Sequence, residues 1–438
     1  NMKKVLVISP RFPPVNAADH QRVRMALPYF REYGWKPTVL CVDARFVEAP
    51  QDPYLLQTIP EEISVESVPA TSQALTRKIG FGGLSWRAKQ PLNRRGQQLL
   101  TNKKFDLIYF STTEFGVLPL ATQWKKKFRV PYVLDIQDPW VNDYYRNHQQ
   151  RPPGGKLKHR LTQTIASWQE PATLRHAAAI TTVSPHYETD LVAKYPFLDS
   201  VPFHVIPFGG PEHDFESLKK FDLQISSDKP TDTQEWLYIG RAGCDMQFSL
   251  RAFFCSVKKA LAAGLVQSNS LRIQLFGTDY AAAGTGKNWS QQAADEFGLA
   301  TLVKETPDRI PYFETLQRLT RADALFVPGS DDPGYTASKI YPYILAKRPL
   351  LTLFHKQSSV NEVINNTKSG TAITFDNRST IKSVAEETYQ RWFLPKAYSR
   401  VPQTDWQQFA PYTARAMTSQ LVNVFDRVLS DRTFRIAS

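Results

Sequence analysis

Two successive runs of short apolar segments, alternating with helical segments, constrain the fold of this chain more than any other feature. The apolar segments predict strands in the first half at residues 5–9, 37–43, 105–111, 132–138, 178–184 and 203–208. In the second half they predict strands at residues 235–240, 271–277, 322–329 and 349–354. This alternation is typical of a parallel, doubly wound sheet. We therefore expect an α/β protein with two Rossmann-like domains facing a central cleft, with ligands at the carboxyl ends of the strands.

The same pattern sets the expected domain boundaries. We expect an N-terminal domain at residues 2–210 and a C-terminal domain at residues 235–410. Residues 211–234 are polar and charged enough to form a connector between them. A final helical segment occupies residues 411–438.

The net charge of +13 is unevenly distributed along the 438 residues. Residues 1–210 carry 27 basic and 17 acidic side chains, so most of the excess lies in the first domain. No recognised nucleic-acid-binding motif accompanies it, and nucleic acid is not expected as a partner. No apolar run reaches the ~18 residues of a spanning helix. Because the three cysteines (Cys41, Cys244 and Cys255) are unclustered, neither a disulfide framework nor a metal site is expected. The composition as a whole leads us to expect a soluble, cytoplasmic protein.

One basic segment is interrupted by apolar and aromatic residues. Residues 67–105 contain eight basic side chains and no acidic ones, and Trp86 and Leu92 lie among them. Such a segment can lie on an anionic membrane surface, where each basic residue contributes about 1 kcal/mol. The alternative is an ordinary solvated helix. We keep residues 77–104 as a candidate peripheral contact with the inner face of the membrane.

The first β–α turn excludes one class of ligand. Residues 9–22 contain no glycine, and the G-x-G-x-x-G pattern is therefore absent. Without those glycines the backbone cannot wrap closely around a pyrophosphate. NAD and FAD are not expected in the first domain.

Two loops of the second half carry cations at the expected carboxyl ends of strands. In the first loop, Lys339 follows Ser338, which is a natural N-cap for a helix near residues 338–346. In the second loop, Gly240 ends the predicted strand at residues 235–240 and Arg241 follows it directly. Two cations and a helix N-terminus can hold a diphosphate. The alternatives are an ordinary capped helix with a solvated lysine, and a surface arginine in a salt bridge.

The order and spacing of several short motifs resemble those of family-4 type glycosyltransferases of the GT-B fold, in which two Rossmann-like domains combine. The motifs are SPRFPP (9–14), YVLDIQDPW (132–140), AAAITTVSPHY (177–187), VIPFGG (205–210), YIGRAG (238–243) and SKIYPYILAKRP (338–349). The resemblance implies that Arg241 and Lys339 bind the diphosphate of a nucleotide-sugar and that the first domain binds the acceptor. It also implies that the final helix packs back on the first domain and that the reaction retains the anomeric configuration.

The chain departs from the family pattern at the donor site. The family's ribose-binding carboxylate falls at Pro342, its partner carboxylate at Gly334, and a further lysine at Met246. Nearby acidic residues could substitute in binding ribose or sugar hydroxyls, with surface solvation as the alternative: Asp245, Asp331 and Asp332. Tyr335 and Thr336 are candidates for contacts to the base or sugar, and Asp279 is a further donor-site candidate.

In the first domain, Asp138 and Glu114 are the candidate catalytic carboxylates, because each follows a predicted strand. A structural turn is the alternative for Asp138. Arg11, Asn16 and His20 belong to the glycine-free loop and are candidates for the acceptor site or cleft.

The function expected from these observations is glycosyl transfer from a nucleotide-diphosphate sugar to a glycan or lipid-linked acceptor. We expect it to be metal-independent, to need no cofactor beyond the nucleotide-sugar as co-substrate, and to serve cell-surface polysaccharide or glycoconjugate synthesis. Two alternatives remain open: a sugar-nucleotide epimerase of the same fold, and a catalytically inactive glycosyltransferase-like binding protein.

Overall fold

The computed structural model describes residues 2–77, 83–138, 156–226, 228–279, 284, 286–334 and 337–437. The chain forms two compact units: unit 1 comprises residues 1–209 and 414–438, and unit 2 comprises residues 210–413. Both contain a parallel sheet flanked by helices, which confirms the predicted α/β class with two Rossmann-like domains.

In the described part of unit 1, seven parallel strands are arranged in the order β3-β2-β1-β4-β5-β6-β7. The strands are β1 (Lys3–Ile8), β2 (Trp35–Val42), β3 (Ser64–Val68), β4 (Leu107–Ser111), β5 (Tyr132–Ile136), β6 (Ala179–Thr182) and β7 (Phe203–Val205). The helices that accompany them are α1 (Gln21–Ala26), α2 (Gln73–Arg77), α3 (Leu84–Asn102), α4 (Pro119–Phe128), α5 (Lys156–Arg175) and α6 (Pro185–Lys194).

The central strand β1 is buried on both faces, which explains its continuous apolar sequence. Leu6 and Ile8 face one core cluster, whereas Val5 and Val7 face a second cluster on the other side of the sheet. The period-2 alternation of a strand therefore divides the core of unit 1 between the two faces of its sheet.

In the described part of unit 2, six parallel strands are arranged in the order β10-β9-β8-β11-β12-β13. They are β8 (Gln234–Ile239), β9 (Leu271–Phe276), β10 (Val303–Thr306), β11 (Ala324–Pro328), β12 (Leu350–His355) and β13 (Thr371–Phe375). The helices are α7 (Glu212–Leu218), α8 (Gln247–Ala262), α9 (Trp289–Glu296), α10 (Tyr312–Arg321), α11 (Tyr341–Leu345), α12 (Ser359–Thr367), α13 (Ile381–Thr388) and α14 (Trp406–Phe409). Helix α7 lies within the segment expected as a connector, and Phe215 and Leu218 on it are buried.

The last helix, α15 (Ala414–Ala437), belongs to unit 1. Phe425 on this helix packs edge-on against Trp35 and Tyr109, with ring centroids 5.3 and 5.1 Å away. The carboxylate of the next residue, Asp426, accepts hydrogen bonds from the Lys3 ammonium (2.6 Å) and the Trp35 indole (3.0 Å). The end of the chain thus covers one face of the N-terminal sheet.

Three strands were not predicted, and all three lie at sheet edges: β3, β10 and β13. An edge strand borders solvent on one side, so its sequence lacks the long apolar run of a central strand. Apolar residues at helical spacing over residues 20–33 predict a longer helix than the α1 that the structure contains. Helix α1 ends at Ala26, because Pro28 has no N–H to continue the helical hydrogen bonds and the Tyr29 N–H donates to the Ala26 carbonyl instead.

Candidate functional site

In unit 2, the loop that follows β8 holds Arg241 in a fixed position. The guanidinium group donates hydrogen bonds to both carboxylate oxygens of Asp245, at 2.6 and 2.8 Å. The Tyr238 hydroxyl donates to the Arg241 carbonyl at 2.6 Å, which fixes the backbone as well. Gly240 has φ +159°, and a Cβ there would lie 2.7 Å from the Tyr238 hydroxyl. The glycine therefore allows the loop to turn tightly over the tyrosine.

Asp245 joins this loop to the loop that follows β11. Its backbone carbonyl accepts a hydrogen bond from the Asp331 N–H at 2.9 Å. Hydrogen bonds from Arg241, and secondarily from Ser330, lower the pKa of the Asp245 carboxyl to about 2. The carboxyl is therefore ionised at neutral pH and neutralises part of the charge of Arg241, so the salt bridge that the sequence left as an alternative for Arg241 is present.

Lys339 lies in the same electrostatic environment. Burial lowers the pKa of its ammonium group, and the positive charge of Arg241 lowers it further, while Asp245 acts in the opposite direction. The side chain still keeps contact with solvent. Two cations that repel each other are stabilised when an anion binds between them. The cluster of Arg241, Asp245 and Lys339, which we call the basic cluster, therefore suits a polyanionic group such as a diphosphate.

The structure contains helical backbone near residues 338–346, as predicted, but Ser338 is not its N-cap. Residues Ala337–Ile340 form a single 3-10 turn, and α11 begins only at Tyr341 with Ile340 as its N-cap residue. Pro342 occupies the first turn of α11, where a missing N–H costs no helical hydrogen bond. Because α11 has only five residues, its dipole adds little to the site.

The remaining donor-site candidates have local roles in the structure. Asp332 accepts a hydrogen bond from the Gly334 N–H at 2.8 Å, and Asp331 and Asp332 are both exposed. Asp279, which follows β9, accepts from the Lys287 N–H at 2.9 Å. Tyr335 and Thr336 lie outside the described residues.

In unit 1, Arg11 connects two carboxylates at the carboxyl ends of β1 and β4. It forms an ion pair with Glu114 at 2.5 Å and a longer contact with Asp19 at 3.4 Å. The other oxygen of Glu114 accepts hydrogen bonds from the Ser85 N–H (3.1 Å) and hydroxyl (2.5 Å). Glu114 therefore ties the start of α3 to Arg11, and both of its carboxylate oxygens have partners.

Asp138 follows β5 at the same edge of the sheet. Burial raises the pKa of its carboxyl, and the negative charge of Asp19 raises it further. Burial also raises the pKa of the Tyr187 hydroxyl, and the negative charge of Asp138 raises it further. A raised pKa favours the protonated carboxyl, the form that can donate a proton in general acid–base chemistry. Among the first-domain candidates, Asp138 has the electrostatic environment that best fits such a role.

The other two candidates of the glycine-free loop face inward or act through the backbone. His20 is fully buried, and its Nε2 donates to the Val15 carbonyl at 2.6 Å. Asn16 is partly buried, and its N–H donates to the Pro50 carbonyl at 2.8 Å. His20 and Asn16 thus hold the conformation of the loop that carries Arg11 and Asp19.

Sequence reasoning missed a buried ion pair directly beneath this edge. Arg22 and Asp135 are both fully buried, and their side chains meet at 3.2 Å. The carboxylate of Asp135 also accepts hydrogen bonds from Ser111 (2.9 Å), Gln137 (3.1 Å) and Thr181 (2.7 Å). An acidic residue inside the otherwise apolar β5 segment YVLDI is the signal that could have revealed it.

The basic segment of unit 1 is less exposed than its sequence suggested. Arg87 is buried and donates to the carbonyls of Phe46 (2.9 Å) and Thr71 (3.0 Å), so it cannot contact a membrane. Arg95 binds Glu66 at 2.7 Å. Residues 78–82 lie outside the described residues.

In the described part of the chain, no helix is both long and apolar enough to cross a membrane. The same residues contain no cluster of three His, Cys, Asp or Glu side chains that could hold a metal ion.

Comparison with known proteins identifies the family of the first unit. Residues 20–209 match the family model described as "Glycosyl transferase 4-like domain". Residues 20–209 therefore form a glycosyl transferase 4-like domain. Sequence comparison with curated proteins finds no match.

Solved structures with a similar fold cover almost the whole length of this chain. They include a glycosyltransferase from Rickettsia africae (12% identity, TM-score 0.57, 98% of this chain and 99% of that one). An α,α-trehalose 6-phosphate synthase from Burkholderia multivorans shares 10% identity with a TM-score of 0.58 over 99% and 98% of the two chains. Anabaena HepE, in complex with UDP-glucose, shares 15% identity with a TM-score of 0.51 over 97% and 99%. These similarities establish the GT-B fold.

Proposed function

We propose that the enzyme transfers a sugar from a nucleoside-diphosphate sugar bound in unit 2 to a hydroxyl group of an acceptor bound in unit 1. The observation that carries this proposal is the basic cluster, in which Arg241 and Lys339 bring two cations to the carboxyl ends of β8 and β11. The complex of Anabaena HepE with UDP-glucose supports a uridine nucleotide as the first donor to test.

The cations have a chemical task in this reaction. As the bond between the anomeric carbon and the diphosphate oxygen breaks, the diphosphate takes the electron pair and gains negative charge. Arg241 and Lys339 would stabilise that charge without a metal ion. The acceptor oxygen forms the new bond, and its proton passes to a base, for which the leaving diphosphate and Asp138 are the candidates. Retention of the anomeric configuration is proposed from the family resemblance.

We further propose a biological setting of cell-surface polysaccharide or glycoconjugate synthesis at the cytoplasmic face of the membrane. The positive excess of unit 1 supports an anionic acceptor or lipid surface, because residues 1–210 carry 27 basic and only 17 acidic side chains. No cofactor beyond the nucleotide-sugar is proposed.

Calorimetric titration with a panel of nucleoside diphosphates and nucleotide-sugars tests the donor site. We expect at least one nucleotide to bind, and we expect Arg241→Ala and Lys339→Ala each to weaken it about 10- to 150-fold, the worth of a hydrogen bond to a charged group. Lys382→Ala is the matched control, because Lys382 is an exposed lysine of unit 2 outside the cluster. Equal losses in Lys382→Ala and Lys339→Ala would contradict the assignment.

The departures at Gly334 and Pro342 make turnover a separate question from binding. We expect slow release of the free sugar from the bound nucleotide-sugar, with water as the acceptor, and its loss in Arg241→Ala. Nucleotide binding without any hydrolysis or transfer would instead favour the inactive binding protein.

A further inference from the structure

Unit 1 contains a cavity of about 510 Å³ between the start of α3 and helix α5. Its described walls are largely apolar, and the apolar side chains among the described residues are Trp86, Phe115, Leu161, Ile165 and Ala166. The volume falls within the ~300–1,000 Å³ typical of small-molecule sites. The cavity is therefore large enough to enclose part of an apolar ligand.

Apolar side chains at this cavity are unusually accessible for a folded protein. Trp86 is 62% exposed, Leu161 is 50% exposed and Ile165 is 38% exposed. Large apolar side chains grouped around one concave surface mark a binding site more often than an ordinary surface. Their exposure is relieved when an apolar group occupies the space between them.

One end of the cavity is polar and reaches the candidate site of unit 1. Thr113 and Glu114, which follow β4, form part of its lining together with Lys89. Glu114 is held there by Arg11 and Ser85, so its position is fixed. Lys89 is partly buried, and burial lowers the pKa of its ammonium group. A negatively charged group beside Lys89 would restore the favourable environment that its ammonium group has lost.

Helix α3, which forms one wall, carries no acidic residue between Leu84 and Asn102. The electrostatic character of this wall is therefore positive, while the apolar side chains lie at the cavity itself. A ligand complementary to both has an apolar chain joined to an anionic head.

We propose that this cavity binds the apolar chain of an anionic amphiphilic acceptor, with the head group beside Lys89 and the reacting hydroxyl directed to the Thr113–Glu114 end. The inference rests on the proposed glycosyl transfer and specifies the class of its acceptor. A cavity of fixed volume is filled at a definite chain length, whereas a membrane surface is not. The dependence of affinity on chain length therefore distinguishes the two.

Binding of n-alkyl phosphates from six to fourteen carbons, each below its micelle concentration, tests the cavity in the full chain. We expect the affinity to rise about fourfold for each added methylene and then to stay constant once the chain fills the cavity. Alkyl glucosides of the same lengths, which lack the negative charge, are expected to bind more weakly at every length. A steady rise without a plateau would indicate a membrane-like surface and overturn the proposal.

Two tryptophans provide matched variants. Trp86 lies in the cavity wall, whereas Trp168 on α5 is 83% exposed and lies outside the lining. We expect Trp86→Ala to weaken decyl phosphate about tenfold and Trp168→Ala to change it less than about twofold. Because both side chains are exposed, neither variant should unfold the protein. Equal losses would show that the ligand lies on the open surface, and would refute the cavity.

Two cations of α3 test the head group in the same way. We expect Lys89→Gln to weaken decyl phosphate about threefold to tenfold and to leave decyl glucoside unchanged, whereas Arg94→Gln, on an exposed position outside the cavity, has little effect on either. Nucleotide binding is measured in each variant. Alkyl phosphate binding without any nucleotide binding would refute the proposed donor site alone, and the reverse result would refute the acceptor cavity alone.

Discussion

The buried ion pair of unit 1 gives the sharpest prediction, through the substitution Asp135→Asn. Both side chains of the Arg22–Asp135 pair have no exposed surface, and Asp135 also binds Ser111, Gln137 and Thr181. Asparagine keeps the shape but replaces one carboxylate oxygen by an NH₂ group. That group faces donors that previously shared an acceptor, and the Arg22 guanidinium loses its counter-charge.

Removing one partner of a buried ion pair costs about 3–5 kcal/mol of unfolding free energy. Arg22 keeps two other acceptors, the carbonyls of Ile206 (2.6 Å) and Pro207 (3.3 Å), which limits the cost to the lower end of that range. We therefore expect a loss of about 3 kcal/mol. For a unit of this size that corresponds to a fall of roughly 6–12 °C in the midpoint of its thermal transition.

Differential scanning calorimetry measures the midpoint, with Asp43→Asn as the control. Asp43 forms its ion pair with Arg45 at the surface of the same unit, where such pairs contribute about 0–1 kcal/mol. Replacing both partners, as Arg22→Met with Asp135→Leu, should recover part of the loss because no charge then remains buried. If Asp135→Asn lowers the midpoint no more than Asp43→Asn does, the reasoning is refuted.

Two further predictions concern other parts of the molecule. Because a bound diphosphate favours the charged form of Lys339, whose pKa is lowered in the free protein, nucleotide affinity should fall as the pH rises through that pKa. Calorimetric titration at several pH values should show no such fall in Lys339→Arg, whose guanidinium stays charged. If the affinity of Lys339→Arg depends on pH in the same way as that of the wild type, Lys339 is excluded from the site. Gly96→Ala should destabilise unit 1 by about 1–2 kcal/mol in urea unfolding, because the new Cβ would lie 2.3 Å from the buried Trp124 ring, and overpacking outweighs the gain in helix propensity. Arg94→Ala on the same helix is the control, and equal stability of the two variants would contradict the close packing.

The fold class was predictable because its signal is local. Central strands such as β1 and β11 are buried throughout, so their apolar runs stand out in the sequence. Edge strands and short helices were predictable only in part. Solvent exposure interrupts the apolar pattern of β3, β10 and β13, and the length of α1 depends on a single proline.

The candidate site was predictable only as a set of residues at strand ends. The sequence pointed to Arg241, Lys339, Asp138 and Glu114, because parallel strands bring their carboxyl ends to one edge. It could not show that Asp245 pairs with Arg241, or that the two carboxylate oxygens of Glu114 bind Arg11 and Ser85. Such pairings join residues far apart in the chain or depend on a particular turn, and no periodicity encodes them.

The sequence by itself therefore determined the two Rossmann-like units, the positive excess of the first and the cations of the second, since composition and periodicity are properties of the chain alone. Only the tertiary structure decided which charges are neutralised, which are buried and where apolar side chains remain exposed. Arg87 illustrates the difference, because it counts as a surface charge in the sequence but is buried against two carbonyl groups in the fold. The energy of a charge depends on the groups and the water around it, and folding is what supplies or removes both.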